Sequence, residues 1–206
     1  MKYLDEFREK DPFQAILSKI NSLPPQPLSF MEVCGTHTVA ISKSGLRNLL
    51  PSGIRLLSGP GCPVCVTAFE DVDRIIMLAG EKRADKRFII TSFGDMMRVP
   101  GSHSTLLKEK AKGADIRIVY SPADALTVAR ENPDREVVFF SVGFETTSPT
   151  SAATILHAEK EGLGNFSIIS NNKLIPPAME LLLEDKSTAL DGFLCPGHVS
   201  AIIGTS

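Results

Sequence analysis

Three of the chain's four cysteines and one of its four histidines fall within residues 31–65, MEVCGTHTVAISKSGLRNLLPSGIRLLSGPGCPVC. In Cys62-Pro63-Val64-Cys65 the thiols are spaced to close a small disulfide ring. A helix beginning near Thr67 would turn its positive end toward them, and both features favour the thiolate, the form that attacks disulfides and binds metals. Three readings compete. A thioredoxin-like redox pair fits the spacing, although that family sets its pair in an aromatic-containing loop and this one is crowded by glycine and proline. A structural zinc site needs two such pairs, or a pair with two histidines, whereas the other thiols, Cys34 and Cys195, stand apart. The third reading is two small buried apolar groups.

Cys34-Gly35-Thr36-His37 is a different arrangement, a thiol three residues before an imidazole. Cys34 has the chemistry of a nucleophile or a single thiolate ligand, with His37 as acid, base or hydrogen-bond partner; a histidine in a loop also serves as a plain cap. His198 beside Cys195 and Gly197 carries the same choice, while His103 and His157 have no such context and read as structural or exposed. Asp95 and Arg98 either hold a ligand or brace their own loop as an ion pair. Glu145 and Thr146 read as cap and first-turn residues of the following helix. Neither a GxxxxGK[ST] loop nor a complete GxGxxG occurs, so nothing argues for a nucleotide.

The elements that must carry these groups are legible. Leu4 and Phe7, then Phe13, Leu17 and Ile20, recur at helical spacing and predict an N-terminal helix or helix pair over 3–22, and Pro24-Pro25-Gln26-Pro27 closes it as a stiff connector. Beyond it, β-favouring runs at 28–33, 54–57, 88–92, 116–120, 137–141, 166–170 and 192–195 alternate with helical stretches near 38–50, 67–82, 104–113, 122–131, 147–162 and 174–184. This alternation, with strands apolar throughout, predicts an α/β fold of parallel sheets flanked by helices, Rossmann-like. Ligands of such sheets bind beyond the carboxyl ends of the strands. The loops that follow the runs carry CGTH, GPGCPVC, FGDMMRVPG, GFETT, NN and CPGH.

VCGTHT has an echo in VGFETT, and GPGCP in LCPGH. The echoes suggest two related α/β units, a first domain over 28–132 carrying Cys34, Cys62 and Cys65 and the start of a second over 135–206, after an N-terminal helix and linker over 1–27. Asn132-Pro133-Asp134 is the expected seam.

The totals exclude some partners. With 206 residues, 43% of them hydrophobic, the chain can bury a core without disulfides. A net charge of −2 without a Lys/Arg cluster leaves nothing to neutralise a phosphate backbone, so no nucleic acid is expected. No apolar run approaches a membrane span, and MKYLDEFREKD lacks the apolar core of a signal peptide, so no membrane and a cytoplasmic location are expected. In a reducing compartment, four cysteines point to metal or redox chemistry rather than a static framework.

MEVCGTHT, LLSGPGCPVCVT, SFGDMMRVPG, SVGFETT and LCPGHVSAIIG, spread over 31–204, together resemble the HypD family of hydrogenase maturation factors. The resemblance implies a part in the cytoplasmic machinery that builds the Fe(CN)2CO centre of nickel-iron hydrogenases. It implies a metallocentre scaffold working with the chaperone HypC and receiving cyanide through HypE, with HypF upstream. Cys34 is then the cysteine that holds the iron, shared with a cysteine of HypC. Cys62 and Cys65 are the redox-active pair, and His37 and His198 match the motif histidines beside the cleft. The family also carries a 4Fe-4S cluster on cysteines of a C-terminal region; no cysteine follows Cys195 here, so the expected match is to an N-terminal part without that cluster. The alternatives are a thiol-disulfide oxidoreductase using Cys62 and Cys65, and a zinc-dependent hydrolase with Cys and His ligands.

Overall fold

A computed structural model describes residues 9–81, 88–185 and 187–204. Leu4 and Phe7 lie outside the described residues, as does the last residue of the helix expected over 67–82. Among the described residues seven strands alternate with helices in the order α1 (Lys10–Asn21), β1 (Leu28–Glu32), α2 (Gly35–Ser44), α3 (Leu46–Leu49), β2 (Ile54–Ser58), α4 (Phe69–Gly80), β3 (Phe88–Ser92), α5 (Leu106–Ala111), β4 (Ile116–Ile118), α6 (Pro122–Glu131), β5 (Glu136–Gly143), α7 (Ser148–Lys160), β6 (Phe166–Asn172), α8 (Ile175–Glu184), β7 (Gly192–Leu194) and α9 (Gly197–Ile203). The ends of these elements follow local chemistry. Ser121 and Asp124 form a reciprocal capping box at the start of α6, with Pro122 in its first turn. Gly45 adopts a left-handed φ of 67° that stops α2.

Every strand pairing is parallel, in one sheet of order β2-β1-β7 and another of order β4-β3-β5-β6. The α/β, Rossmann-like class read from the alternation is the class observed. No described helix is long and apolar enough to cross a membrane.

The chain divides into two compact units: the described residues of Met1–Gly61 with Pro177–Gly197, and those of Cys62–Pro176 with His198–Ser206. The first holds the three-stranded sheet. The second holds the four-stranded sheet, whose core packs Ile90, Val138, Phe140 and Val142 against Val72 and Ile75 of α4 and Leu106 of α5. The Asn132-Pro133-Asp134 seam lies inside this second unit, because β3 pairs with β5 from Phe88↔Glu136 to Thr91↔Phe139, across that seam. The two sheets have a similar order of three strands, and it does not align the loops as their echoes suggested. In each sheet the first strand is central, the second lies on one side and the third on the other, so β1, β2 and β7 correspond to β3, β4 and β5. VCGTHT therefore corresponds to SFGDMM, and CPGH to GFETT. Short glycine-containing turns look alike wherever they occur, whereas hydrogen-bonded order is set by which apolar strands pair.

Candidate functional site

Cys34 stands where β1 gives way to α2. Glu32 ends the strand, Val33 donates to the Leu194 carbonyl at 3.2 Å, and Cys34 continues extended (φ −157°, ψ 123°) as the residue before the helix. It is 6% exposed, and its sulfur makes no capping bond to the first turn of α2. Its carbonyl accepts from the Thr38 amide at 3.2 Å and from the Thr38 hydroxyl at 3.4 Å. The half-buried His37 sits in the first turn of the same helix, so the thiol and the imidazole share one helix end.

The backbone of Cys34 is wedged against the turn after β2. The Gly35 amide donates to the Gly61 carbonyl at 3.2 Å, and a Cβ placed on Gly61 would collide with the Cys34 amide nitrogen and Cα and with the Val33 carbonyl carbon. Gly59 donates to the Glu32 carbonyl at 2.8 Å, and its own Cβ would come within 2.6 Å of the Met31 side chain. Gly61 of GPGCPVC is thus required by a close backbone approach, and Gly59 by the Met31 side chain packed on it.

Beneath Cys34 lies a carboxylate that sequence reasoning missed. Glu32 is fully buried; its Oε1 accepts from Arg47 Nη2 at 2.7 Å and from the Ser58 hydroxyl at 3.0 Å, while Oε2 has no partner. Along an extended chain residues two apart share a face, so Glu32 lies on the Cys34 side. The available signal was a lone acidic residue inside an apolar strand run.

Within the second unit, Cys62 and Cys65 bracket a tight turn in which the Cys65 and Val66 amides donate to the Cys62 carbonyl at 3.0 and 3.2 Å and the Thr67 hydroxyl donates to the Pro63 carbonyl at 2.9 Å. Val64, between the thiols, packs on the hydrophobic core. Cys62 is half-buried, Cys65 is exposed, and both are free thiols. The Cys65 thiol is pushed above its ordinary value, first by donating to the Cys62 sulfur, then by burial and by charge on Cys62. Thiolate character expected at both sulfurs is therefore not met at Cys65. The helix said to supply it begins later, at Phe69, with Glu70 and Asp71 already in its first turn to neutralise its positive end.

The loops of the second sheet differ from expectation. Asp95 and Arg98 are both exposed on a 3-10 turn (Gly94–Arg98) and do not pair. The brace is Asp73 of α4, which accepts from the Ser102 amide at 2.7 Å and hydroxyl at 2.6 Å and is held below the usual carboxylate range by them. Glu145 does not cap α7, whose N-cap is Thr147; it reaches across to α8, where Oε1 accepts from the Ile175 amide at 2.7 Å and Oε2 is buried without a partner. Pro176 and Pro177 follow, and lacking N–H groups they leave the first turn of α8 little else to donate. Ser141, Thr147 and Asn172 form a polar brace, the Ser141 hydroxyl donating to Asn172 Oδ1 at 2.8 Å and Asn172 Nδ2 to the Thr147 hydroxyl at 3.0 Å. Cys195 and His198 are exposed, and among the described residues their side chains make no hydrogen bond.

The structure thus joins Cys62 to Cys65 and sets Cys34 and His37 at one helix end. Among the described residues no three His, Cys, Asp or Glu side chains gather as a metal site.

Comparison with known proteins agrees with the motifs. A family model described as "HypD: Hydrogenase formation hypA family" matches residues 11–206. The chain is 49% identical over 215 residues to the hydrogenase maturation factor HypD2 of Bradyrhizobium diazoefficiens, covering 100% of this chain and 56% of that protein. It is 48% identical over 211 residues to the HypD of Rhodobacter capsulatus (99% of this chain, 55% of that protein), and 44% over 212 residues to that of Escherichia coli (100% and 56%). The chain spans little more than half the length of these relatives.

Proposed function

The chain belongs to the HypD family of hydrogenase maturation factors, and from that premise we propose that it is the part of an iron-assembly scaffold that presents one buried cysteine sulfur to iron and also carries a redox-active dithiol. Cys34 takes the iron. The observation that carries this reading is that its sulfur is buried where β1 gives way to α2 and is used for no capping bond. A single thiolate suits low-valent iron whose other positions are filled by cyanide, carbon monoxide and a cysteine of a HypC-type chaperone. His37, at the same helix end, is the acid or base that serves the sulfur, and His198, in the first turn of α9, is a further acid or base of the maturation chemistry.

Cys62 and Cys65 supply the reducing power. Going from dithiol to disulfide releases two electrons and two protons, the electron count needed to turn a carbamoyl-derived precursor delivered by a HypE-type partner, charged upstream by HypF, into cyanide. Cys65, which keeps its proton, donates to Cys62, the sulfur placed to attack. The setting is the cytoplasm. In the family the 4Fe-4S cluster belongs to a region outside these residues, and no step is routed through it.

A specific observation also favours a second reading: the direct contact of Cys62 with Cys65 suits a free-standing thiol-disulfide oxidoreductase. Anaerobic co-purification with a HypC-type chaperone, followed by iron analysis and infrared spectroscopy in the metal cyanide and carbonyl region, separates the two. Iron and diatomic bands that vanish in Cys34→Ala support the scaffold. Iron-free protein that reduces insulin disulfides overturns it in favour of the oxidoreductase, and binding without bands reduces it to a docking module.

A further inference from the structure

At the carboxyl edge of the four-stranded sheet, two buried polar atoms of opposite kind have no partner. Glu145, in the loop leaving β5, is 6% exposed; its Oε1 accepts from the Ile175 amide at 2.7 Å, and its Oε2 has no hydrogen bond among the described residues. Asn171, near the end of β6, is 7% exposed; its Oδ1 accepts from Lys173 Nζ at 2.9 Å, and its Nδ2 is likewise unpartnered. Both belong to one short stretch. Val142 pairs with Asn171 and Gly143 with Asn172, the Lys173 amide donates to the Gly143 carbonyl at 2.9 Å, and the bond from Ile175 to Glu145 closes the run. All of it lies within Cys62–Pro176. Sheet order marks the same edge. β3 leads to β4 on one side and β5 to β6 on the other, so the point where an α/β sheet takes ligands falls between the loops after β3 and β5, and Glu145 stands in the second.

Buried polar groups left unpaired are costly and few in native folds. Here their chemistry selects an occupant. A carboxylate oxygen only accepts, and an amide NH2 only donates. An anion would satisfy Asn171 and be repelled by Glu145; a cation would satisfy Glu145 and leave Asn171 unpaired. A group carrying N–H and C=O on one carbon answers both. We propose that Glu145 Oε2 and Asn171 Nδ2 form a binding site for a carbamoyl or primary carboxamide group, Glu145 accepting from its N–H and Asn171 donating to its oxygen. Val142, the strand partner of Asn171, belongs to the core on which Val64 packs from between Cys62 and Cys65. The inference deepens the proposed function, resting on it only for the carbamoyl-derived precursor as natural occupant. Binding is read without iron or turnover, so the two can fail separately.

The test titrates the whole chain with acetamide, acetate and acetamidinium, three probes of one shape, and follows the Asn171 side-chain amide and the Ile175 backbone amide by NMR. Acetamide is expected to shift both signals saturably and to bind about tenfold or more tighter than the other two. Glu145→Gln keeps an oxygen for the Ile175 amide and turns the free acceptor into a donor, so preference should pass to acetate. Asn171→Asp keeps an oxygen for Lys173 and turns the free donor into an acceptor, so preference should pass to acetamidinium. A purely structural role would change stability without changing which probe binds. A parent chain that binds none of the probes, that binds them without moving those signals, or whose order of preference persists in either variant would overturn the proposal.

Discussion

Gly61 lies against Cys34 so closely that no side chain fits between them: a Cβ on Gly61 would strike the Cys34 amide nitrogen and Cα, while the Gly61 carbonyl accepts the Gly35 amide at 3.2 Å. Backbone atoms cannot move aside as a flexible side chain can. Gly61→Ala is therefore expected to cost about 2–3 kcal/mol, seen as a lower urea midpoint at unchanged slope. Gly35→Ala is the control, since its Cβ would meet only the Gly61 carbonyl oxygen at 3.9 Å; it should stay within about 0.5 kcal/mol of the parent. Equal effects would mean that the wedge is not what holds this turn.

Glu32 predicts a second, electrostatic dependence. Its carboxylate is fully buried, and its charged partner among the described residues is Arg47, at 2.7 Å. Arg47→Met leaves a buried charge with the Ser58 hydroxyl alone and should destabilise by about 3 kcal/mol. Adding Glu32→Gln should recover part of that loss, because the charge needing compensation is gone. A double-mutant cycle that shows simple additivity would remove Arg47 from this role.

The strand and helix order was legible because the pattern is strong: all seven apolar runs became strands and the intervening stretches became helices, with ends shifted by a few residues. What escaped was set by distance in sequence. Glu145 caps a helix 30 residues away, and Asp73 anchors Ser102 from 29 away, where capping rules look only one turn ahead. The Asp95 and Arg98 pair failed for the opposite reason, since nearness in sequence on an exposed 3-10 turn leaves two solvated charges no cause to meet. For the candidate site, the clustering of unusual residues at strand ends was readable. The raised titration of the Cys65 thiol was not, because it comes first from that thiol donating to the Cys62 sulfur.

Asp115 gives the acid dependence. It accepts from Arg117 Nε and Nη2, both at 3.0 Å, and from Arg135 Nη1 at 2.6 Å. Donation from Arg117, more than from Arg135, holds its carboxyl below the usual carboxylate range. A carboxyl whose folded-state value is depressed contributes stability that is fully present above its unfolded value and is lost as pH falls through the folded one. Asp115→Asn should thus cost about 1–2 kcal/mol at pH 7, and the gap from the parent should close below about pH 4. A gap as wide at pH 3 as at pH 7 in urea titrations would refute the assignment.

The dithiol makes the sharpest chemical prediction. Cys65 holds its proton because it donates to the Cys62 sulfur and because charge on Cys62 opposes a second negative charge nearby; burial adds to both. Removing the neighbour removes the two causes that depend on it. In Cys62→Ala the Cys65 thiol should return toward its ordinary value, so its thiolate fraction at pH 8 rises and iodoacetamide should alkylate it about threefold faster or more. The same change should move the thiolate absorbance at 240 nm to lower pH. Cys65 is exposed in the parent, so steric opening cannot account for an acceleration that disappears at pH values above both titrations. If Cys65 reacts no faster in Cys62→Ala, or its titration moves upward, the two sulfurs are not coupled as described, and Cys62 loses its claim to be the first of the pair to attack.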